Sequence, residues 1–294
     1  MADGVTVVIA TRDRGASIAC ALASLAAGSR AADAVVIVDQ SRDDRTAAAV
    51  RPFLHDACIR YLRSPTAGLA RAHNVAIAEV ATELVAITDD DCEVSADWLA
   101  QIVRAFAREP RVGLVFGSVL PVAHDPALGF VPGYRRTQAV LARTLRDRAE
   151  IDGMGACMAL RRRVWADLRG FDERFGAGGP FRAANEGEFA WRALHAGWWV
   201  YETPDVSVLH RGVRSRREAR TLVRGYAYGT GAMMAKHVRA GTPYAPRLLG
   251  TMAWRWLRGR VHGAVRIGGG RHRLLRLGGF VRGFATGALA GPSS

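Results

Sequence analysis

Apolar positions in the first half of the chain follow two alternating periods. Continuous apolar runs at 5–10, 35–39, 59–62 and 84–88 are separated by stretches whose apolar residues recur every three or four positions, such as Ile18, Leu22 and Leu25 within 17–27, and by a helical segment at 69–78. Apolar runs of strand length joined by amphipathic helices predict an α/β fold with a mostly parallel central sheet flanked by helices. Ser95 is placed to cap the next helix, whose buried stripe is Trp98, Leu99, Ile102, Val103 and Phe106 and which ends before Pro110. A strand follows at 112–122. Glycines then punctuate the chain, as Gly153-Met154-Gly155 and across 176–180, predicting loops that approach a ligand or move. Residues 186–195 read as a short helix packed through Phe189, Ala190, Ala193 and Leu194, and 198–209 as strands around Pro204.

Beyond residue 210 the pattern changes: arginines interleave with Trp254, Trp256, Leu257, Leu274, Leu275, Phe280 and Phe284. The net charge of +14 divides unevenly, because residues 211–294 hold 17 Lys/Arg against one acid, Glu218, while residues 1–210 sum to −2. The chain therefore divides into an expected catalytic domain at 1–212 and a basic, helical C-terminal extension at 213–294. No run approaches the roughly 18–20 apolar residues of a membrane span, and no signal sequence is read at the N-terminus. The four cysteines, Cys20, Cys58, Cys92 and Cys157, match neither a zinc pattern nor a disulfide framework, so a reducing cytoplasm is expected. Arginine mixed with Trp, Leu and Phe suits amphipathic helices on an anionic membrane surface. No nucleic-acid recognition module is seen, and no nucleic-acid partner is expected.

In a parallel sheet, ligands bind beyond the carboxyl ends of the strands. Three such ends carry polar residues: Thr11-Arg12-Asp13-Arg14, Asp39-Gln40-Ser41 and Asp89-Asp90-Asp91. Three consecutive carboxylates without an adjacent Lys or Arg repel one another, and a divalent cation, Mg²⁺ or Mn²⁺, is the simplest neutraliser. The plainer alternative is a solvated acidic turn before the next helix. A lone histidine is more often packed than ligating, and His210 alone is kept as a candidate. Arg161-Arg162-Arg163 reads as a solvated face. Asp172 and Glu173 are either acceptor-side residues or helix caps.

The order of these motifs resembles that of the inverting family-2 glycosyltransferases of the Rossmann-like GT-A fold. The resemblance runs through Val7 to Arg14, Val36 to Asp44, Gly68-Leu69-Ala70-Arg71-Ala72-His73-Asn74, Asp89-Asp90-Asp91 as the DXD motif, Gly170-Phe171-Asp172-Glu173, Asn185 to Arg192, and His210. It implies a nucleotide-diphospho-sugar donor held by Thr11, Arg14, Asp39, Ser41, Arg71, Asn74, Asp89 and Asp90. Asp39 would read a uracil or thymine base, with Thr11 packed around it and Asp89 beside the ribose. Asp91 and His210 would hold the metal at the diphosphate. The base that activates the acceptor hydroxyl would be Glu186, with Glu188 the other candidate, since Asn185 departs from the family pattern and the count back from Arg192 favours Glu186. Taken alone, both acids would merely suit the positive end of a helix dipole. The acceptor would be a glycan or a lipid-linked molecule of polysaccharide, cell-wall or glycolipid assembly, and the enzyme would sit peripherally on the inner face of the cell membrane. Two other functions share parts of this pattern. A sugar-phosphate nucleotidyltransferase would show a Gly-rich basic loop after the first strand, which Ala10-Thr11-Arg12-Asp13 lacks. A non-catalytic nucleotide-sugar or carbohydrate-binding protein would keep the fold and lose the base.

Overall fold

The computed structural model describes residues 4–127, 129–242, 244–257 and 270–291, with the backbone alone for 252–257 and 270–273. The apolar runs become β1 (Val5–Thr11), β2 (Ala34–Asp39), β3 (Ile59–Arg63) and β4 (Leu84–Asp89). They lie in the order β3-β2-β1-β4, all parallel. Between them run α1 (Gly15–Ala26), α2 (Arg45–Val50) and α3 (Leu69–Ala78). Side chains alternate across each strand, and both faces are covered. Val8, Val36, Val38, Val85 and Ile87 enter one core; Val7, Ile9, Val35, Ile37, Leu84 and Ala86 enter the other. This double burial is why the strands read as continuous apolar runs.

After β5 (Cys92–Val94) and α4 (Trp98–Ala107), the sheet is completed by β6 (Val112–Pro121), β7 (Val140–Ala142), β8 (Cys157–Arg161) and β9 (Trp199–His210). The order continues from β4 as β8-β6-β9-β5, with β7 also on β9. Here pairing is mixed: β8 is antiparallel to β4 and β6, β9 is parallel to β6, and β5 and β7 are antiparallel to β9. The segment around Pro204 forms one strand, and its pairing with β6 skips where Phe116↔Glu202 gives way to Ser118↔Ser207. Proline has no N–H for the ladder, so the irregularity falls where it costs least. α4 buries Trp98, Leu99, Ile102, Ala105 and Phe106. Its N-cap is Asp97, not Ser95, whose hydroxyl bonds the Asp97 carboxylate instead. Arg161 also departs from expectation. It is buried, donating to the carbonyls of Val112 and Phe106, and only Arg162 and Arg163 are exposed.

Two short helices, α5 (Arg162–Asp167) and α6 (Asn185–His195), precede β9, and α7 (Arg216–Arg239), α8 (Ala245–Leu257) and α9 (Gly270–Leu289) follow it. The boundary expected at 212/213 coincides with the step from β9 to α7. Yet Ala232, Met233 and Met234 of α7 join the same core as β4 and α6. α9 crosses α7 at backbone contact: a Cβ on Gly283 would stand 2.0 Å from the Tyr228 carbonyl oxygen, and one on Gly231 2.2 Å from that of Phe280. Gly279 and Gly287, one turn to either side of Gly283, meet Arg224 and Ala232 as closely as 2.9 and 2.8 Å. The expected packing of Trp254, Trp256 and Leu257 lies outside the described side chains. Among the described residues no helix is long and apolar enough to cross a membrane.

Candidate active site

Parallel register sets the rim. Thr11 pairs with Asp39, and Ala10 with Asp89, so the three polar strand ends are level. A cavity of about 620 Å³ opens over this rim. It gathers Thr11, Arg14, Asp89, Asp90, Asp91, Glu186 and His210, which come from β1, β4, α6, β9 and the loops that follow the strands.

The acidic triplet divides into three environments. Asp90 is buried, accepting from the Thr11 hydroxyl at 2.7 Å and from Arg14 at 3.1 Å. Asp91 meets Arg14 at 2.5 Å, Arg214 at 3.3 Å and His210 Nε2 at 3.1 Å. Burial opposes its ionisation, but the bond and charge of His210, followed by the two guanidinium groups, hold it down to about 2. Asp89 forms no ion pair among the described residues, and burial followed by repulsion from Asp91 and Asp90 pushes it up to about 7 against the weaker pull of His210 and Arg14. The sequence shows no Lys or Arg adjacent to the triplet, but the fold brings two to it. Arg14 and Arg214 reach it from elements 77 and 123 residues away in sequence, a proximity that no local pattern encodes.

His210 reaches Asp91 because β5 and β9 pair Cys92 with His210. Its Nδ1 lies 2.8 Å from the Pro132 carbonyl oxygen, which can only accept. The neutral ring must therefore carry its proton on Nδ1 and turn the Nε2 lone pair toward Asp91 Oδ1, an oxygen that then accepts no hydrogen bond among the described residues. Two facing lone pairs need either a proton or a cation between them. Burial lowers the imidazole's basicity, yet the bond to Asp91 and the charges of Asp91 and Asp89 raise it overall. Gly212 leaves space at the same place, since a Cβ there would stand 2.5 Å from Asp91 Oδ2 and 3.0 Å from His210 Nε2. Carboxylate and imidazole with room beside them fit a divalent cation whose other ligands are phosphate oxygens. The Cys92 thiol lies in the same cluster, but burial, then the charges of Asp89 and Asp91, push its ionisation far up, so it stays a thiol.

Glu186 and Glu188 both lie in the first turn of α6 but face different surroundings. Glu186 lines the cavity opposite Gly155, without an ion pair among the described residues, and burial raises its pKa above the ordinary 4.5. Glu188 is wholly buried on the other face, where Arg192 bonds both of its oxygens at 2.9 Å and Lys236 of α7 bonds one at 2.6 Å. Lys236 also holds Asp172 at 2.8 Å, so Asp172 belongs to this buried group. The remaining expected residues stand outside the cavity wall. Asp39 is fully buried behind the rim, accepting from the Ser41 backbone N–H and the Tyr61 hydroxyl. Ser41 braces the neighbouring turn through the Asp13 N–H and Thr46. Arg71 pairs with Glu173 at the surface, and Asn74 ties down the 170–173 loop through Phe171.

The cavity also has walls that the sequence reading did not assign. Leu222, Val223 and Tyr226 of α7 close one side, and Arg214 and Arg182 reach it. The two glycine-rich stretches did signal their role, since Gly153, Gly155, Gly176 and Gly178 all line it.

The family model for glycosyl transferase family 2 matches residues 6–168. No curated protein matches the chain. Among solved structures, its fold is similar to that of the mannosyltransferase PcManGT from Pyrobaculum calidifontis in complex with GDP-Man and Mn²⁺, at 22% identity and a TM-score of 0.66 over 99% of this chain and 77% of that one. It is also similar to S. aureus TarS 1-349, at 16% identity and a TM-score of 0.59 over 96% of this chain and 81% of that one. TarS 1-349 in complex with UDP-GlcNAc gives 15% identity and a TM-score of 0.60 over the same shares. At these identities the likeness carries the fold, which is the expected GT-A α/β architecture. With more than half of its sequence matched by the family model, the chain belongs to glycosyl transferase family 2.

Proposed function

We propose that the protein is an inverting glycosyltransferase, which moves a sugar from a uridine or thymidine diphosphate donor to an acceptor hydroxyl. The observation that carries this reading is the placing of Glu186. One carboxylate without an ion pair faces the same cavity as the Asp91–His210 pair, and burial raises its affinity for a proton. In the reaction Glu186 takes the proton of the acceptor hydroxyl as its oxygen attacks the anomeric carbon. The bond from that carbon to the diphosphate oxygen breaks, and the nucleoside diphosphate leaves with the electron pair. Asp91 and His210 would hold Mg²⁺ or Mn²⁺, which when bound neutralises charge gathering on the leaving diphosphate. Arg14 and Arg214 stand beside them and add fixed positive charge at the same place. PcManGT was solved with GDP-Man and Mn²⁺ and TarS with UDP-GlcNAc, so this fold accepts such donors elsewhere.

The test is a panel of nucleotide sugars, read by thermal shift with and without Mn²⁺ and then by transfer or slow donor hydrolysis. A uridine or thymidine diphospho-sugar is expected to stabilise the protein only with the metal. Binding without any turnover would instead favour a non-catalytic carbohydrate-binding protein. The acceptor is proposed to be a glycan or lipid-linked molecule of cell-envelope assembly. The setting is proposed to be the inner membrane surface, because α9 exposes Leu274, Leu277, Val281 and Leu289 on a segment whose net charge is strongly positive. Flotation with anionic liposomes at low and high salt checks this; no binding in either condition removes the membrane.

A further inference from the structure

A second cavity of about 470 Å³ lies beside the first, walled by α7, α9 and the loop that precedes α6. Arg182, Arg224 and Arg282 line it together with Tyr228, Leu274 and Leu275. Arg182 lines the reaction cavity as well, so one residue belongs to both walls. Among the described residues no carboxylate lines this second cavity. Four other arginines of this region are matched: Arg14 and Arg214 by Asp91, Arg174 by Asp172, Arg192 by Glu188. None of the three cleft arginines forms an ion pair among the described residues, and Arg182 instead lies over the Tyr228 ring at 5.2 Å. Cations gathered around a concave surface repel one another until an anion comes between them.

The backbone supports the same reading. Arg182 has φ +68° and Ala184 φ +69°, a left-handed conformation that residues with side chains rarely adopt. The surrounding chain enforces it. Phe181 and Ala183 are buried, and their carbonyl oxygens pass within 2.9 and 2.7 Å of where a Cβ on Gly229 of α7 would stand. Strain at a position between two cavities, four residues before Glu186, marks a side chain whose placement is constrained. An acceptor whose hydroxyl reaches Glu186 would have its neighbouring groups at Arg182.

We propose that the cleft of Arg182, Arg224 and Arg282 binds a phosphate or diphosphate group carried by the acceptor. This rests on Glu186 being the base that receives the acceptor. Guanidinium groups suit the task, since each can offer two parallel N–H donors to phosphate oxygens. Leu274 and Leu275 give the cleft an apolar wall, which would accommodate the hydrocarbon next to a lipid phosphate as readily as the face of a soluble one's sugar.

The test compares the full-length protein with its Arg224→Gln/Arg282→Gln variant, both positions being exposed and outside the donor cavity. Inorganic pyrophosphate is titrated calorimetrically in metal-free buffer, and metal-dependent nucleotide-sugar binding is measured on the same samples. The expected result is a pyrophosphate affinity at least tenfold weaker in the variant, with a flatter salt dependence, and nucleotide-sugar binding within twofold of the parent. Equal pyrophosphate affinity in the two proteins, or no binding to the parent of either probe, overturns the proposal. A second probe, phosphatidylcholine vesicles with and without phosphatidic acid, separates the sources. Capture by the phosphatidic acid vesicles that the double substitution abolishes supports a lipid-borne phosphate, and binding of pyrophosphate alone supports a soluble one. Loss of the nucleotide-sugar signal in the parent would count against the enzyme reading and leave the cleft's result standing on its own.

Discussion

At the strand-end rim, Asp91 gives one oxygen to two guanidinium groups, while the other faces only the His210 imidazole, beside the space that Gly212 leaves. One helical turn inside α6, Glu188 meets an arginine and a lysine with the same residue chemistry, but both oxygens are bonded and none of the side chain reaches solvent. The contrast repeats on a smaller scale between Glu186 and Glu188, two residues apart. Glu186 has room in front of it and no ion pair among the described residues; Glu188 ties α6 to α7. Carboxylates with unfilled valence and access can do chemistry, whereas carboxylates with every lone pair matched hold elements together. Burial alone does not separate the two classes.

The comparison breaks most directly at Glu186. Glu186→Gln is expected to lower turnover by about 10²–10⁴-fold while donor binding stays within about twofold, as loss of a general base requires. Steady-state kinetics beside thermal-shift titration decides it, and unchanged turnover would pass the role elsewhere. Gly212→Ala probes the rim without removing any ligand. Its methyl group would stand 2.5 Å from Asp91 Oδ2, so metal-dependent donor binding should fall by at least about tenfold while the metal-free melting temperature holds. Isothermal titration with Mn²⁺ and nucleotide sugar reads both quantities.

Glu188→Gln should behave in the opposite way. Breaking a buried pair by removing one partner costs about 3–5 kcal/mol, so denaturant unfolding should shift strongly while turnover per folded molecule stays within about threefold. The smallest effect is in pH dependence, and its sign differs between the two glutamates. Burial works against ionised Glu188, but Arg192 and Lys236 bring its pKa below the ordinary 4.5, so its stabilisation is present above that value and lost as pH falls through the lower, folded one. The stability gap between Glu188→Gln and its parent should therefore close in acid. Burial raises the Glu186 pKa, so its contribution is full below 4.5 and lost as pH rises through the higher, folded value. Glu186→Gln should accordingly melt slightly above the parent at pH 8, and the acid limb of the parent's kcat/KM should lie above the usual carboxylate range. Melting curves from pH 3 to 9 and a pH–rate profile test both halves.

Much of this was readable from the chain alone, for a definite reason. β1 to β4 and α3 follow from period and from double-sided burial, and parallel register then makes the level placing of Thr11, Asp39 and Asp89 unavoidable. Glu186 stood out through the resemblance of 185–192 to a family motif counted back from Arg192, and the glycine-rich stretches through their composition. What escaped were contacts between residues far apart in sequence. Arg14 and Arg214 neutralise Asp91, Lys236 satisfies Glu188, and α7 walls the cavity, each set by tertiary packing that leaves no local period. Arg71 and Asn74 show the converse: a motif legible in sequence whose side chains here brace a loop and a surface pair.

Finally, the seating of α9 on α7 has a consequence for how such a chain can diverge. The contact is made where Gly279, Gly283 and Gly287 let backbone meet backbone, so the helix is held by what those positions lack. Exposed positions of α9 such as Arg282 lie away from that contact, whereas one methyl group at Gly283 would lift the helix. Descendants of this sequence could exchange the side chains on the exposed face of α9 step by step while the strand-end rim stayed fixed.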